Sequence, residues 1–191
     1  MARIIDIKLP KTLAAVLRLP NNDFRSQQLR VLKKLLKKSR FTEFGQHYGF
    51  DRLLLSRHVG KEFQRAVPVH DYNKIYEEWW KKTLDGVPDV TWPGKIKFYA
   101  LSSGTSEAAS KYIPVTKEML RSNRVNYIRQ LLSLLNYEHL PRNAVTKGFL
   151  MLGGATDLQK GAAGWFAGDL SGILAKNRPF WFQTFYKPGG R

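Results

Sequence analysis

Ser102-Ser103-Gly104-Thr105-Ser106, with Lys111 seven residues after the glycine, holds the densest set of groups suited to chemistry in this 191-residue chain. Four hydroxyls surround one glycine, and a lysine follows. Hydroxyls, backbone N–H groups and an ammonium in one short loop suit a polyphosphate, which is rich in acceptor oxygens and negative charge. Glycine lets the backbone approach a ligand where a Cβ would block it. The stretch is not a P-loop, because the second glycine and the Lys-Ser/Thr pair of that motif are missing. No Gly-x-Gly-x-x-Gly fingerprint occurs either. Two readings of the pattern stand side by side: a phosphate-binding loop, and a Ser/Thr-rich surface turn after a strand.

The elements around the loop narrow its setting. The apolar run Ile96 to Leu101 reads as a strand leading in, and Trp92-Pro93-Gly94 as the turn before it. Pro114 closes the loop. Thr116 then caps a long helix from Lys117 to about Tyr137, with Glu118 in its first turn. A strand, a loop and a helix in that order predict an α/β fold, with the hydroxyl loop at the carboxyl end of a strand. Upstream, Asp23 is the expected N-cap of a helix from Phe24 to about Ser39. Phe24, Val31, Leu32, Leu35 and Leu36 fall on its core-facing side, and Arg30, Lys33, Lys34, Lys37 and Lys38 on the other. Residues 51 to 66 read as further helix and connection. Val67-Pro68-Val69 is extended, since proline pushes its predecessor out of the helical region. Asp71 to Leu84 reads as helix. Downstream, Phe149-Leu150-Met151-Leu152 reads as a short buried strand. Residues 153 to 172 are glycine-rich, either lining a ligand site or forming a permissive surface loop.

Composition sets outer bounds. An apolar fraction of 43%, with eleven Phe and five Trp, supplies a real core. The absence of cysteine excludes disulfides, Fe–S clusters and cysteine zinc sites. His47, His58, His70 and His139 lack metal-ligand spacing, and no metal ligand is assigned. No apolar run approaches the roughly 18–20 residues of a membrane span. Asp6 and Lys8 interrupt what would be a signal peptide, so a cytoplasmic location is expected. The net charge of +17 leaves three readings open: a nucleic-acid or anionic-membrane partner, a solvated basic face, or balance by acidic segments elsewhere in a longer protein. No zinc finger, basic zipper or RNA-recognition motif accompanies the charge, so no specific nucleic acid is expected.

The stretch from Ser102-Ser103-Gly104-Thr105-Ser106 through Lys111-Tyr112-Ile113-Pro114 resembles the first nucleotide-binding motif of the auxin-responsive acyl acid amido synthetases. These are plant and bacterial members of the adenylate-forming superfamily. Thr42-Glu43-Phe44-Gly45 with Tyr48-Gly49-Phe50 resembles an early family segment, and Phe63-Gln64-Arg65-Ala66-Val67-Pro68-Val69 with Tyr72 resembles a second. The three segments span about positions 41 to 116 in the family's order. Ala108 departs from the pattern, standing where the family often has a second glycine, and bears on how tightly the loop wraps.

The resemblance implies the N-terminal portion of a large adenylate-forming domain, with helices in 1–95 leading into a mixed sheet. Residues 96–191 would then hold a strand–phosphate loop–helix–strand unit with the glycine-rich loop. It implies an ATP- and Mg2+-dependent ligase that adenylates a carboxylic acid and passes the acyl group to an amine such as an amino acid. Ser102, Ser103, Gly104, Thr105, Ser106 and Lys111 would bind the nucleotide phosphates. Arg124, Tyr127, Ile128 and Leu131 on the following helix would border the acyl acid, although helical periodicity alone already explains the last three as core. No residue is assigned as catalytic. Family members are several hundred residues long, and their later ribose-binding motif and mobile C-terminal domain have no counterpart here. Asp157 and Asp169 come too early to supply the ribose aspartate. The expectation is therefore an incomplete enzyme, inactive alone. The alternatives are a basic, non-catalytic module for nucleic acid or anionic membrane, and a fragment that pairs with a separate chain.

Overall fold

The computed structural model of the protein describes residues 23–102, 111–133, 149–150, 155–178 and 186–187. Asp23 opens the first helix, α1 (Phe24–Ser39), by accepting from the Ser26 amide, one of the orphan donors of a helix start. Four short helical pieces follow: α2 (Glu43–His47), α3 (Phe50–Leu55), α4 (Val59–Ala66) and α5 (Tyr72–Ile75). A π-helical turn, Tyr76–Trp80, joins α5 directly to α6 (Lys81–Leu84). The expected helix over 71–84 is thus present, with a wider turn inside it.

The helices pack around Leu36, Phe50, Leu53 and Val59, with Leu32, Phe44 and Phe63 against them. Thr42 is the hinge of this layer. Its hydroxyl donates to the Ser39 carbonyl (2.7 Å) and accepts from the Gly45 amide (3.1 Å), so one buried side chain both ends α1 and starts α2. Gly45 has to be glycine here, since an added Cβ would fall 2.1 Å from the Ser39 carbonyl oxygen. Only part of the α1 stripe is covered. Leu32 and Leu36 pack inward, whereas Phe24, Val31 and Leu35 are 76%, 53% and 46% exposed. The apolar arc of α1 is wider than its contact, and these three lie along the uncovered margin. Arg30, Lys33, Lys34 and Lys37 are exposed, as expected of the basic side.

The sheet is mixed. Its order is β2-β1-β5-β4, from β1 (Phe98–Ser102), β2 (Lys111–Val115), β4 (Gln159–Lys160) and β5 (Phe166–Gly168). β1 runs antiparallel to β2 and parallel to β5, and β4 is antiparallel to β5. A separate parallel pair joins β3 (Phe149–Leu150) to β6 (Tyr186–Lys187). Alternate residues of β1 face opposite sides. Phe98 and Ala100 join Val115, Leu120 and Ile173 under α7 (Lys117–Ser133) and α8 (Leu170–Lys176). Tyr99 and Leu101 join Ile96, Ala167 and Trp165 on the other face, beside Leu84.

Two expectations change. The stretch from Lys111 to Val115 is a strand, so a β-hairpin rather than a bare strand and loop precedes the helix. Pro114 pairs with Tyr99 within it, and β2 can carry a proline because it is an edge strand among the described residues. The described part of the glycine-rich segment is not one loop either. It forms β4, a tight turn, β5 and α8. Gly172 packs so closely that an added Cβ would fall 2.1 Å from the Ala155 carbonyl oxygen. Gly161, Gly168 and Gly172 answer to packing, and Gly164 to the positive φ of its turn. Among the described residues no helix is long and apolar enough to cross a membrane.

Candidate functional site

Ser102 ends β1 and Lys111 begins β2, and the two are register partners across the hairpin. The chain between them carries the rest of the hydroxyl motif. Ser103, Gly104, Thr105 and Ser106 lie outside the described residues, so the structure places the base of the loop and not its tip. Ser102 is half-buried and Lys111 is exposed. The base therefore offers a partly desolvated hydroxyl beside a solvated ammonium, at the carboxyl end of a central strand. Open α/β sheets bind ligands at such ends.

Lys111 makes no ion pair among the described residues. Its Nζ instead lies 5.0 Å from the ring centroid of Tyr72. The same tyrosine reaches the edge strand by its other end, where its hydroxyl oxygen accepts from the Tyr112 amide at 2.9 Å. Tyr72 stacks on Tyr76 (5.6 Å, 21°) and meets Trp80 edge-on (6.2 Å). Burial pushes the Tyr72 phenol above its ordinary pKa, and the Tyr112 amide opposes that. The sequence marks Tyr72 as part of a family-like segment and, with Ile75, Tyr76 and Trp79, as one side of the expected helix over 71–84. Nothing in helical periodicity reports a contact 40 residues away.

β1 is held from beneath. The buried Tyr99 hydroxyl donates to Thr83 Oγ1 (2.8 Å), which donates on to the Trp80 carbonyl (2.6 Å). Trp165, edge-on to Tyr99 at 5.3 Å, donates from Nε1 to the Leu84 carbonyl. Burial pushes the Tyr99 phenol up to about 12, against the lowering effect of its bond to Thr83. These bonds tie the strand that carries Ser102 to the helical stretch 72–84. α7 is fixed at its start. Glu118 accepts from Trp92 Nε1 (2.9 Å) and pairs with Lys38 of α1 (3.4 Å). Burial alone would raise its carboxyl pKa, but these partners and a backbone bond hold it below the ordinary range.

The four acyl-acid candidates lie on α7 at helical spacing, on one face. Tyr127 and Ile128 are half-buried, and Arg124 is exposed. The Arg124 guanidinium donates to the Asn177 carbonyl at 3.1 Å, tying α7 to the end of α8. The side chain of Leu131 lies outside what the structure describes. Asp169 occupies the N-cap position of α8, without a side-chain capping bond, just after β5, so its backbone sits beside the carboxyl end of β1. Among the described residues no three carboxylate or imidazole groups gather as a metal site.

The model of the GH3 family N-terminal domain matches residues 15–188. Among solved structures, the chain is similar to the GH3.15 acyl acid amido synthetase at 22% identity and a TM-score of 0.66, over 87% of this chain and 28% of that chain. It is also similar to the AtGH3.15 acyl acid amido synthetase in complex with 2,4-DB, at 22% identity and a TM-score of 0.67, over 92% of this chain and 30% of that chain. The chain thus spans less than a third of the length of these two structures. No curated protein sequence matches it.

Proposed function

The chain belongs to the GH3 family, and from that membership we propose that it forms the N-terminal part of an ATP-dependent acyl acid amido synthetase. The observation that carries the proposal is the base of the hydroxyl loop. Ser102 and Lys111 face each other in register at a strand's carboxyl end, with the lysine unpaired by any acid among the described residues. The matched solved structures are themselves named acyl acid amido synthetases, which supports an acid as one substrate.

In the proposed first step a substrate carboxylate oxygen attacks the α-phosphate of ATP. The acyl–phosphate bond forms, the α–β bridge breaks and pyrophosphate leaves. Two anions must meet, so donors aimed at the developing charge do most of the work. Ser102, Ser103, Thr105 and Ser106 would donate hydroxyl and backbone hydrogens, Gly104 would admit the phosphates, and Lys111 would add positive charge. Mg2+ would enter on the phosphates, which commonly supply much of its oxygen shell. An amine then attacks the acyl carbon and AMP leaves. Tyr127, Ile128 and Leu131 would border the acyl body. Arg124 would meet a carboxylate with the guanidinium donors that its bond to the Asn177 carbonyl leaves over.

Carboxylate-dependent pyrophosphate release by the full-length gene product tests this. Ser103→Ala and Lys111→Ala should each slow release by roughly 10²–10³, the usual loss for one transition-state donor. Their melting temperatures should stay close to wild type. Wild-type release with either substitution would reduce the loop to a polar turn. The 191-residue chain alone is expected to release none, and measurable turnover by it would refute its proposed incompleteness.

A further inference from the structure

We propose that Tyr72 is the positioning residue of the loop lysine, a role that rests on the phosphate-loop reading above. One side chain holds both parts of Lys111's setting. The Tyr72 hydroxyl accepts from the Tyr112 amide on the open edge of β2, fixing the backbone next to Lys111. The Tyr72 ring lies 5.0 Å from the Lys111 ammonium, holding its head group. Tyr72 is itself held. Asp71 caps its helix by accepting from the Lys74 amide at 2.8 Å, and Tyr76 and Trp80 pack on the ring.

The choice of partner has a chemical consequence. A carboxylate at this place would neutralise the lysine and compete with an incoming phosphate. An aromatic face attracts the cation through its quadrupole and leaves its formal charge intact. It also occupies one side of the ammonium only, leaving N–H donors for phosphate oxygens. Among the described residues the lysine therefore keeps a localised positive charge with no acid to displace.

The test compares variants that share the lost hydroxyl and differ in the ring face. Full-length Tyr72→Phe and Tyr72→pentafluorophenylalanine have nearly the same shape, but fluorination removes the negative face. The readouts are the KM for ATP in carboxylate-dependent pyrophosphate exchange and hydrogen exchange at the Tyr112 amide. Tyr72→Phe should raise the KM about twofold, through the freed backbone beside Lys111, while the Tyr112 amide exchanges faster. The fluorinated ring should raise KM a further two- to fivefold, about the worth of an exposed cation–π contact. That increment should vanish in a Lys111→Ala background. Equal KM values for the two rings, an increment that survives Lys111→Ala, or an unchanged Tyr112 amide would each overturn the role. Lys111→Ala alone separates the two levels of the argument. If it leaves exchange at wild-type rates, the phosphate-loop reading falls and the positioning role with it. If it impairs exchange while the two rings match, only the positioning role falls.

Discussion

Removing the Thr83 hydroxyl should destabilise the protein more than removing the Tyr99 hydroxyl, although the two share one hydrogen bond. Tyr99 is fully buried and donates to Thr83 Oγ1, and Thr83 in turn donates to the Trp80 carbonyl. Tyr99→Phe deletes the donor at the end of this relay. Thr83 keeps its own bond, so the loss is one intramolecular hydrogen bond, about 0.5–1.5 kcal/mol. Thr83→Val deletes the middle. The Tyr99 hydroxyl is then stranded in a dry site, which costs about 1–3 kcal/mol, and the Trp80 carbonyl loses a partner. In a domain of this size 1 kcal/mol moves the melting temperature by about 2–4 °C. Tyr99→Phe should thus lower it by about 1–6 °C and Thr83→Val by about 2–12 °C. The double variant no longer strands a Tyr99 hydroxyl, so its loss should fall short of the sum by about 1 kcal/mol or more. Thermal and urea unfolding of the four proteins closes the cycle. Additive losses, or a Tyr99→Phe loss larger than that of Thr83→Val, would refute the relay.

The same pair makes a pH statement. The Tyr99 phenol titrates near 10 in the unfolded chain and is pushed up to about 12 in the fold. Below pH 10 both states hold the proton and the contribution is complete. Between pH 10 and 12 unfolding releases a proton, so stability falls as pH rises. At about 1.4 kcal/mol per unit the loss is on the order of 2–3 kcal/mol by pH 12. Tyr99→Phe should lack that part of the alkaline decline, and identical declines in wild type and variant would contradict the raised value.

At the helical layer, Thr42→Val should cost about 1–2 kcal/mol, the usual loss for a cap, read as a lower urea midpoint. Gly45→Ala should cost about 1–3 kcal/mol or more, because the obstacle is the Ser39 backbone and not a movable side chain; an unchanged midpoint for either would refute the hinge at Thr42. Duplex DNA or RNA should bind weakly at low salt and be lost at physiological salt, since a +17 chain without a recognition motif binds by counterion release. Sequence-selective binding at physiological salt, measured by fluorescence anisotropy, would contradict this.

What the sequence made legible was local. Asp23 and the α1 periodicity give Phe24–Ser39 because both cap and stripe act within a few residues. Thr116 likewise caps α7, accepting from the Met119 amide. Strand β2 was hidden because Pro114 reads as a terminator unless the strand is known to be an edge, and edge position is a property of the whole sheet. The packing role of Gly172 was hidden for a similar reason. Composition gives small residues, but only the approach of the Ala155 carbonyl says why a side chain is forbidden. At the candidate site, Ser102 and Lys111 were legible as types near one glycine. Their pairing in register depends on β2 being a strand, and the attachment of Lys111 to Tyr72 on a contact between distant segments.

Two of the three family-like segments turn out to be scaffolding for the third. Thr42-Glu43-Phe44-Gly45 forms the capped start of α2. Its Glu43 and Phe44 amides donate to the Asp89 and Val90 carbonyls, and Glu43 pairs with Lys82 at 2.8 Å. Phe44 also meets Trp79 edge-on at 5.0 Å, so this turn locks the helical stretch 72–84 from one side. The segment ending at Tyr72 supplies the start of that stretch, and the Thr83 relay binds its far end to β1. The stretch is therefore clamped at both ends to the elements that flank the hydroxyl loop. Side chains on it can reach β2 from a fixed distance, which a surface loop would not provide. Spacing along the chain between Gly45, Tyr72 and Ser102 carries no chemistry of its own. It measures how much helix is needed to bring an aromatic face beside a lysine.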